Sequence, residues 1–151
     1  MKLLVQRVKS ASVKVDASII AQIEKGYLVY LGITTNDINP KIDDIIIQKL
    51  LNIRLFEDKE DKINHSILDV KGEILVISNF TLYGNTKKGT RPSFTEAAKV
   101  EDARKIYERF LSNLKSSTDL KIETGQFQAM MDVESINDGP VNIIIEKEIE
   151  S

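Results

Sequence analysis

Two hydroxyls, Ser78 and Thr81, stand close together in Ser78-Asn79-Phe80-Thr81-Leu82, at the end of the β-branched run Glu73 to Ser78 and just before Tyr83-Gly84-Asn85. A strand end that runs into a glycine-bearing loop leaves main-chain N–H groups free to hold a carbonyl or phosphate oxygen. A hydroxyl nucleophile needs a base, and the only histidine is His65, in Lys62-Ile63-Asn64-His65-Ser66. No serine or aspartate motif marks a partner for it, so it reads as a surface or turn residue. The absence of cysteine excludes disulfides, thiolate nucleophiles and cysteine-based zinc sites. No carboxylate cluster has ligand spacing, and neither Gly-x-Gly-x-x-Gly nor the P-loop pattern occurs. The expectation is therefore no metal and no cofactor. A hydrolase built from this set must use Ser or Thr without a histidine base, or borrow a catalytic group from its substrate.

A second candidate is backbone rather than side chain. Gly139-Pro140 follows Asn137-Asp138 and precedes the apolar run Val141 to Ile145. Proline fixes φ and removes a donor, while glycine permits close approach. On local sequence alone the four residues read as an ordinary turn. The densest basic cluster is Lys87, Lys88 and Arg91 in the loop Asn85 to Pro92. It is either a solvated loop or a small phosphate contact.

Several elements must position these groups. Alternation over Leu3 to Val8, then Ala11, Val13 and Val15, followed by Asp16-Ala17 and Ile19 to Ile23, predicts an opening hairpin. Tyr27 to Ile33 is a continuous apolar run, expected as a central strand buried on both faces. Asn39 as N-cap and Pro40 at the first helical position predict a helix carrying Ile42, Ile45, Ile46 and Leu50. A charged turn is expected over Glu57 to Lys62, and a second buried strand over Glu73 to Ser78. Val100, Ala103, Ile106, Tyr107, Phe110 and Leu114 recur at helical spacing and predict the second main helix. Strands are expected over Leu120–Glu123, Gln126–Met131, Val133–Ile136 and Val141–Glu146.

With 151 residues and 42% hydrophobic content, the chain suits one domain over 1–151 with a real core. Its 21 basic and 23 acidic residues give a net charge of −2, which argues against coating long stretches of nucleic-acid backbone. Charge returns at Arg7 and Lys9, so no signal-peptide core is expected, and no apolar run approaches a membrane span of about 20 residues. A soluble, cytoplasmic protein without membrane association is expected.

Taken together, Ser78-Asn79-Phe80-Thr81-Leu82 and Asn137-Asp138-Gly139-Pro140-Val141-Asn142 resemble the two signature motifs of the D-aminoacyl-tRNA deacylase family. The resemblance runs essentially end to end. It includes Val5-Gln6-Arg7-Val8, Leu55-Phe56-Glu57-Asp58, the Lys87 to Phe94 loop, Tyr107-Glu108-Arg109-Phe110 and Glu123-Thr124-Gly125. It implies a homodimeric esterase acting at the 3′ end of aminoacyl-tRNA, releasing D-amino acids and also glycine mischarged on tRNA-Ala. Gly139-Pro140 would be a cis dipeptide inserted into the partner's pocket as a chiral filter, flanked by Asn137 and held by Arg7. Ser78, Asn79, the Phe80 backbone and Thr81 would form the catalytic pocket, with the terminal 2′-hydroxyl of the tRNA assisting. Lys87, Lys88 and Arg91 would be available for tRNA contacts.

The expected fold class is α/β, with mixed β-sheets in a barrel-like layered α/β/β arrangement and two main helices on one side. Asn79 stands where the family pattern has Gln, and Asn142 where it has Thr. A reading of another class is a non-catalytic, dimeric nucleic-acid-binding module in which Ser78 to Thr81 is merely a strand end.

Overall fold

The computed structural model describes residues 1–149. Strand β1, Lys2–Val15, turns through Asp16 and Ala17 into β2, Ser18–Ile23. Both turn residues have positive φ (50° and 65°), the backbone of a two-residue hairpin turn that matches strand twist. The expected hairpin is present, but its first arm is one long strand. Strand β3, Gly26–Gly32, lies antiparallel to the first half of β1 and parallel to β6, Glu73–Ser78. A short parallel strand β7, Ile122–Thr124, follows on the far side of β6. Between β3 and β6 come helix α1, Lys41–Asn52, a small hairpin of β4, Arg54–Glu57, with β5, Ile63–Ser66, and the one-turn helix α2, Ile67–Val70. Helix α3, Val100–Ser117, precedes β7, and β8, Asp132–Glu146, runs antiparallel along β1.

The path β2-β1-β3-β6-β7 does not stay open, because β2 returns to pack on β6 and β7. The mixed sheet is therefore nearly closed into a barrel, in agreement with the expected class. Strands β3 and β6 are buried on both faces, which is why they read as unbroken apolar runs. Tyr27, Val29, Leu31, Ile74 and Val76 face α1 and α3 in the larger core. Leu28, Leu75 and Ile77 face the inner cluster with Val8, Val13 and Ile23. Phe110 of α3 is fully buried, worth about 2–3 kcal/mol of transfer free energy. The two main helices are clamped by Arg109, whose Nε and Nη2 donate to the carboxylate of fully buried Asp43 at 2.7 and 2.9 Å.

Several local expectations are corrected. Helix α1 starts at Lys41 with Pro40 as its cap residue; Asn39 still serves the start, its Oδ1 accepting the Lys41 N–H at 3.1 Å. The buried face of α1 uses Ile47 and Leu51, while Ile45 is exposed. The charged turn expected over Glu57 to Lys62 is present as the loop of the β4–β5 hairpin, closed by the Asp58 N–H on the Lys62 carbonyl at 2.8 Å; the short strands beside it and helix α2 are additions to the expectation. A capping box at Ser66 and Asp69 starts α2, each side chain accepting the other residue's N–H.

Gln126–Met131 is not a strand; it is an irregular segment in which Gln128 has φ 65°. The strands expected over Val133–Ile136 and Val141–Glu146 are a single strand, β8, passing straight through Gly139-Pro140. Cross-strand pairing to β1 overrides the local turn preference of Asn-Asp-Gly-Pro.

Candidate active site

Strand β6 delivers Ser78 to the edge of a cavity of about 770 Å³. Beyond it the chain tightens into a 3-10 turn, Phe80–Tyr83. Asn79 makes that turn possible: its N–H donates to the Leu31 carbonyl at 2.8 Å, and its Oδ1 accepts the Thr81 N–H at 3.0 Å. The Thr81 hydroxyl also donates to Asn79 Oδ1. Asn79 is therefore a cap, and its shorter side chain closes on its own turn. An amide oxygen is no general base, so this bond orients the Thr81 hydroxyl without activating it.

Two contacts seat the turn on the sheet. A Cβ on Gly32 would lie 3.1 Å from Leu82 Cβ and from the Tyr83 ring, so glycine there lets the turn pack close. Lys2 holds the other end, its Nζ donating to the Leu82 carbonyl at 3.2 Å and lying 4.7 Å from the Tyr83 ring centre. Sequence reasoning missed Lys2, and no local signal marks it.

Ser78, Asn79, Phe80 and Thr81 all line the cavity. Phe80, more than half exposed, meets Phe94 edge-on with ring centres 5.3 Å apart. As first residue of the turn, Phe80 has an N–H without an intrahelical acceptor. Among the described residues no other group takes it. The opposite walls come from Ala97–Val100, Ala103 and Phe127–Met131. The first of these is pinned to the sheet by the Ala98 N–H on the Ile33 carbonyl at 2.9 Å.

The lining contains no carboxylate and no histidine. Burial lifts the lining Tyr30 phenol above its ordinary value. His65 sits on β5 beside Asp69, Nδ1 to Oδ2 3.7 Å, outside the cavity. Beside the apolar walls stand Lys99, a free main-chain donor and the hydroxyls of Tyr30, Ser78 and Thr81, none of them paired with a base, which suits holding and polarising an ester more than attacking it. Among the described residues no cluster of metal-ligating side chains occurs.

Lys87, Lys88 and Arg91 lie on an exposed excursion closed by paired N–H to carbonyl bonds between Asn85 and Ser93, 2.7 and 2.9 Å. That excursion leads directly into Phe94 of the cavity wall. None of the three cations lines the cavity, and none forms an ion pair among the described residues.

Gly139-Pro140 lies elsewhere. Gln6 faces Asn142 and Val8 faces Asn137, so Arg7 alone opposes Asp138, Gly139, Pro140 and Val141, which bulge from β8. The Gly139-Pro140 bond is cis, Gly139 has φ 128°, and both residues are exposed. Arg7, 4% exposed, donates to the Asp138 carbonyl at 3.2 Å and the Leu55 carbonyl at 2.7 Å. Asn137 Nδ2 donates to the Arg7 carbonyl at 2.9 Å and to that of Val141 at 3.4 Å. Within one chain the structure joins Ser78–Thr81 into a cavity and joins Arg7 and Asn137 to Gly139-Pro140. It does not bring the two groups together, for none of Arg7, Asn137, Gly139 or Pro140 lines the cavity.

The profile of the D-Tyr-tRNA(Tyr) deacylase family matches residues 4–146. A D-aminoacyl-tRNA deacylase of Clostridium botulinum (strain Eklund 17B / Type B) is 53% identical over 148 residues, covering 97% of each chain. One from Petrotoga mobilis is 46% identical over 150 residues, covering 98% of each. Among solved structures, the c-Myc DNA unwinding element binding protein superposes with TM-score 0.93 at 40% identity, over 99% of this chain and all of that one. A structure described as a probable eukaryotic D-amino acid tRNA deacylase shares the fold at TM-score 0.82 and 15% identity, over 95% of this chain and 97% of the other.

Proposed function

The chain belongs to the D-Tyr-tRNA(Tyr) deacylase family, and from that premise we propose that it hydrolyses the ester joining a D-amino acid to the 3′ end of tRNA. The observation that carries this reading is the cavity itself, walled by Ser78–Thr81 and free of any carboxylate or histidine. Such a site fits an ester already prone to attack by water. The Phe80 N–H receives the negative charge that grows on the carbonyl oxygen. The neighbouring 2′-hydroxyl of the terminal ribose assists, and the proton from water ends on the departing 3′ oxygen. Free D-amino acid and intact tRNA result. Glycine mischarged on tRNA-Ala is hydrolysed in the same way, because it presents only hydrogens where side chains differ.

Stereochemical choice is a matter of exclusion, since the enantiomers carry identical groups. The exposed Gly139-Pro140 bulge, held by Arg7 and flanked by Asn137, is the backbone wall that an L side chain would strike. A second copy of the chain inserts it into the cavity, which makes the working unit a homodimer. Lys87, Lys88 and Arg91 meet tRNA phosphates beside Phe94, and the enzyme works in the cytoplasm. Among the described residues no helix is long and apolar enough to cross a membrane.

Incubation with D-tyrosyl-tRNA and L-tyrosyl-tRNA at matched concentrations tests the proposal. The D ester is expected to disappear while the L ester persists; equal loss of both, or of neither, overturns it. A substrate ending in 2′-deoxyadenosine is expected to react far more slowly, and an undiminished rate would return the chemistry to Thr81 or Ser78.

A second reading has one observation in its favour, the likeness to a protein named for binding a DNA unwinding element. Here Lys87, Lys88 and Arg91 would bind phosphates without catalysis. The net charge of −2 weighs against it. Strongly salt-dependent DNA binding without ester hydrolysis is the result that would favour it.

A further inference from the structure

The wall formed by residues 126–131 differs from the rest of the cavity in having almost no backbone support. Strand β7 ends at Thr124 and β8 begins at Asp132. Between them the main chain is tied by the Ala129 N–H on the Gln126 carbonyl at 3.2 Å, just after the Gly125 N–H meets the Val76 carbonyl at 3.0 Å. Yet Phe127, Gln128, Ala129, Met130 and Met131 all line the cavity.

Side chains from α3 do the holding. Tyr107 stacks on Phe127, with ring centres 5.4 Å apart and planes 30° from parallel. The Arg104 guanidinium lies 4.6 Å from the same ring centre, and its Nη2 donates to Gln128 Oε1 at 2.8 Å. One planar cation thus binds two successive residues of the wall, and the second of them, Gln128, has φ 65°.

We propose that Arg104 is a positioning residue: it latches the 126–131 wall onto α3 and so sets the shape of the cavity that receives the aminoacyl end of the substrate. The cavity's role as substrate site rests on the reading above, whereas the latch is a property of the chain itself. Arg104 does not line the cavity; it acts through Phe127 and Gln128. A loosened wall binds the substrate less tightly but leaves the Phe80 N–H where it was, so the loss falls on KM rather than on kcat.

The test compares R104A, R104K and Q128A with the parent chain, using amide hydrogen exchange for the wall and steady-state deacylation of D-tyrosyl-tRNA for the site. In R104A, exchange of the Ala129 N–H, the hydrogen-bonded amide of the wall, is expected to quicken about tenfold while β6 and the middle of α3 stay unchanged. KM rises about tenfold, with kcat within about twofold of the parent. R104K keeps a cation over the ring without the planar fork, so both effects shrink to about threefold. Q128A matches R104K, and adding R104A to it costs less than R104A alone in the parent. Unchanged exchange of the Ala129 N–H in R104A overturns the latch, as does faster exchange spread evenly over the whole fold. A freed wall with unchanged KM overturns its bearing on the substrate. If the parent deacylates nothing, the proposed function falls and the exchange data alone still decide whether Arg104 holds the wall.

Discussion

The turn at Ser78–Thr81 and the bulge at Gly139-Pro140 are built in opposite ways. The first is concave: a strand end folded over Gly32, capped by Asn79 and held by Lys2 around a cavity. The second is convex: two exposed residues pushed out of β8 and braced from beneath by the buried Arg7. In the proposed reaction the working atoms of both are main-chain atoms, which side chains only support. A site of this kind gives up acid-base catalysis and gains a fixed shape, which suits a task that is mainly discrimination.

The largest expected effect comes from deleting the one donor assigned to the concave part. Phe80→Pro removes the N–H at the first position of the turn, where proline is tolerated, and Asn79 has an extended backbone (φ −144°, ψ 97°) that needs to open by about 20° in ψ to precede a proline. Single-turnover deacylation of D-tyrosyl-tRNA is expected to fall by about 10²–10³. Phe80→Ala keeps the donor and should cost less than about tenfold; equal losses in the two variants would return the function to the ring.

Gly139→Ala attacks the convex part. An added Cβ would lie 2.8 Å from Val141 Cγ2, at a φ of 128° that L residues rarely adopt. About a hundredfold loss of deacylation is expected, with the fold retained because the site is exposed. Mixed dimers of this variant with Phe80→Pro should regain one working site out of two. Failure of the mixture to regain any activity would argue that cavity and bulge serve each other within one chain.

Removing the brace should separate stability from shape. Arg7→Met strands the Leu55 and Asp138 carbonyls that Arg7 now satisfies, at a cost of about 3 kcal/mol in a denaturant titration. Gly32→Ala, its counterpart under the concave turn, forces Leu82 and Tyr83 back by a few tenths of an ångström. It should cost about 1 kcal/mol.

The smallest effects concern pH. With no carboxylate or histidine in the cavity, deacylation corrected for spontaneous hydrolysis should show no bell between about pH 5 and 8. An inflection abolished by His65→Ala would contradict this. Stability should respond on the alkaline side instead. Burial pushes the Tyr107 phenol up to about 12 and those of Tyr27 and Tyr83 higher. Unfolded tyrosines ionise near about 10, so above that pH the folded state binds more protons than the unfolded one. Stability present below about pH 10 is therefore lost as pH rises toward the folded values, which thermal unfolding between pH 9 and about 12 would register.

How far the sequence reached depended on how local each signal was. Helix α3 and strands β3 and β6 announce themselves, because burial on one stripe or on both faces writes a period or an unbroken run into neighbouring residues. Gln126–Met131 has apolar residues at strand spacing and misleads, since Phe127 is spent on stacking against Tyr107 rather than on a ladder. Asn137 to Pro140 misleads in the other direction. Its turn chemistry is real, but pairing on both sides with β1 carries the strand through it.

By itself, then, the sequence determined the chemistry open to this protein: a strand-end turn with hydroxyls and free main-chain donors, a glycine-proline pair, one histidine and no thiol. Those limits follow from residue types, which no fold can alter. Only the tertiary structure decided that Lys2 holds the turn, how Arg7, named beside the glycine-proline pair by the resemblance alone, braces the bulge through the Asp138 carbonyl, that Arg104 grips the opposite wall, and that cavity and bulge lie apart in one chain. Each of the three contacts joins residues remote in the sequence, and local periodicity carries no information about which distant side chain a closing sheet will bring alongside.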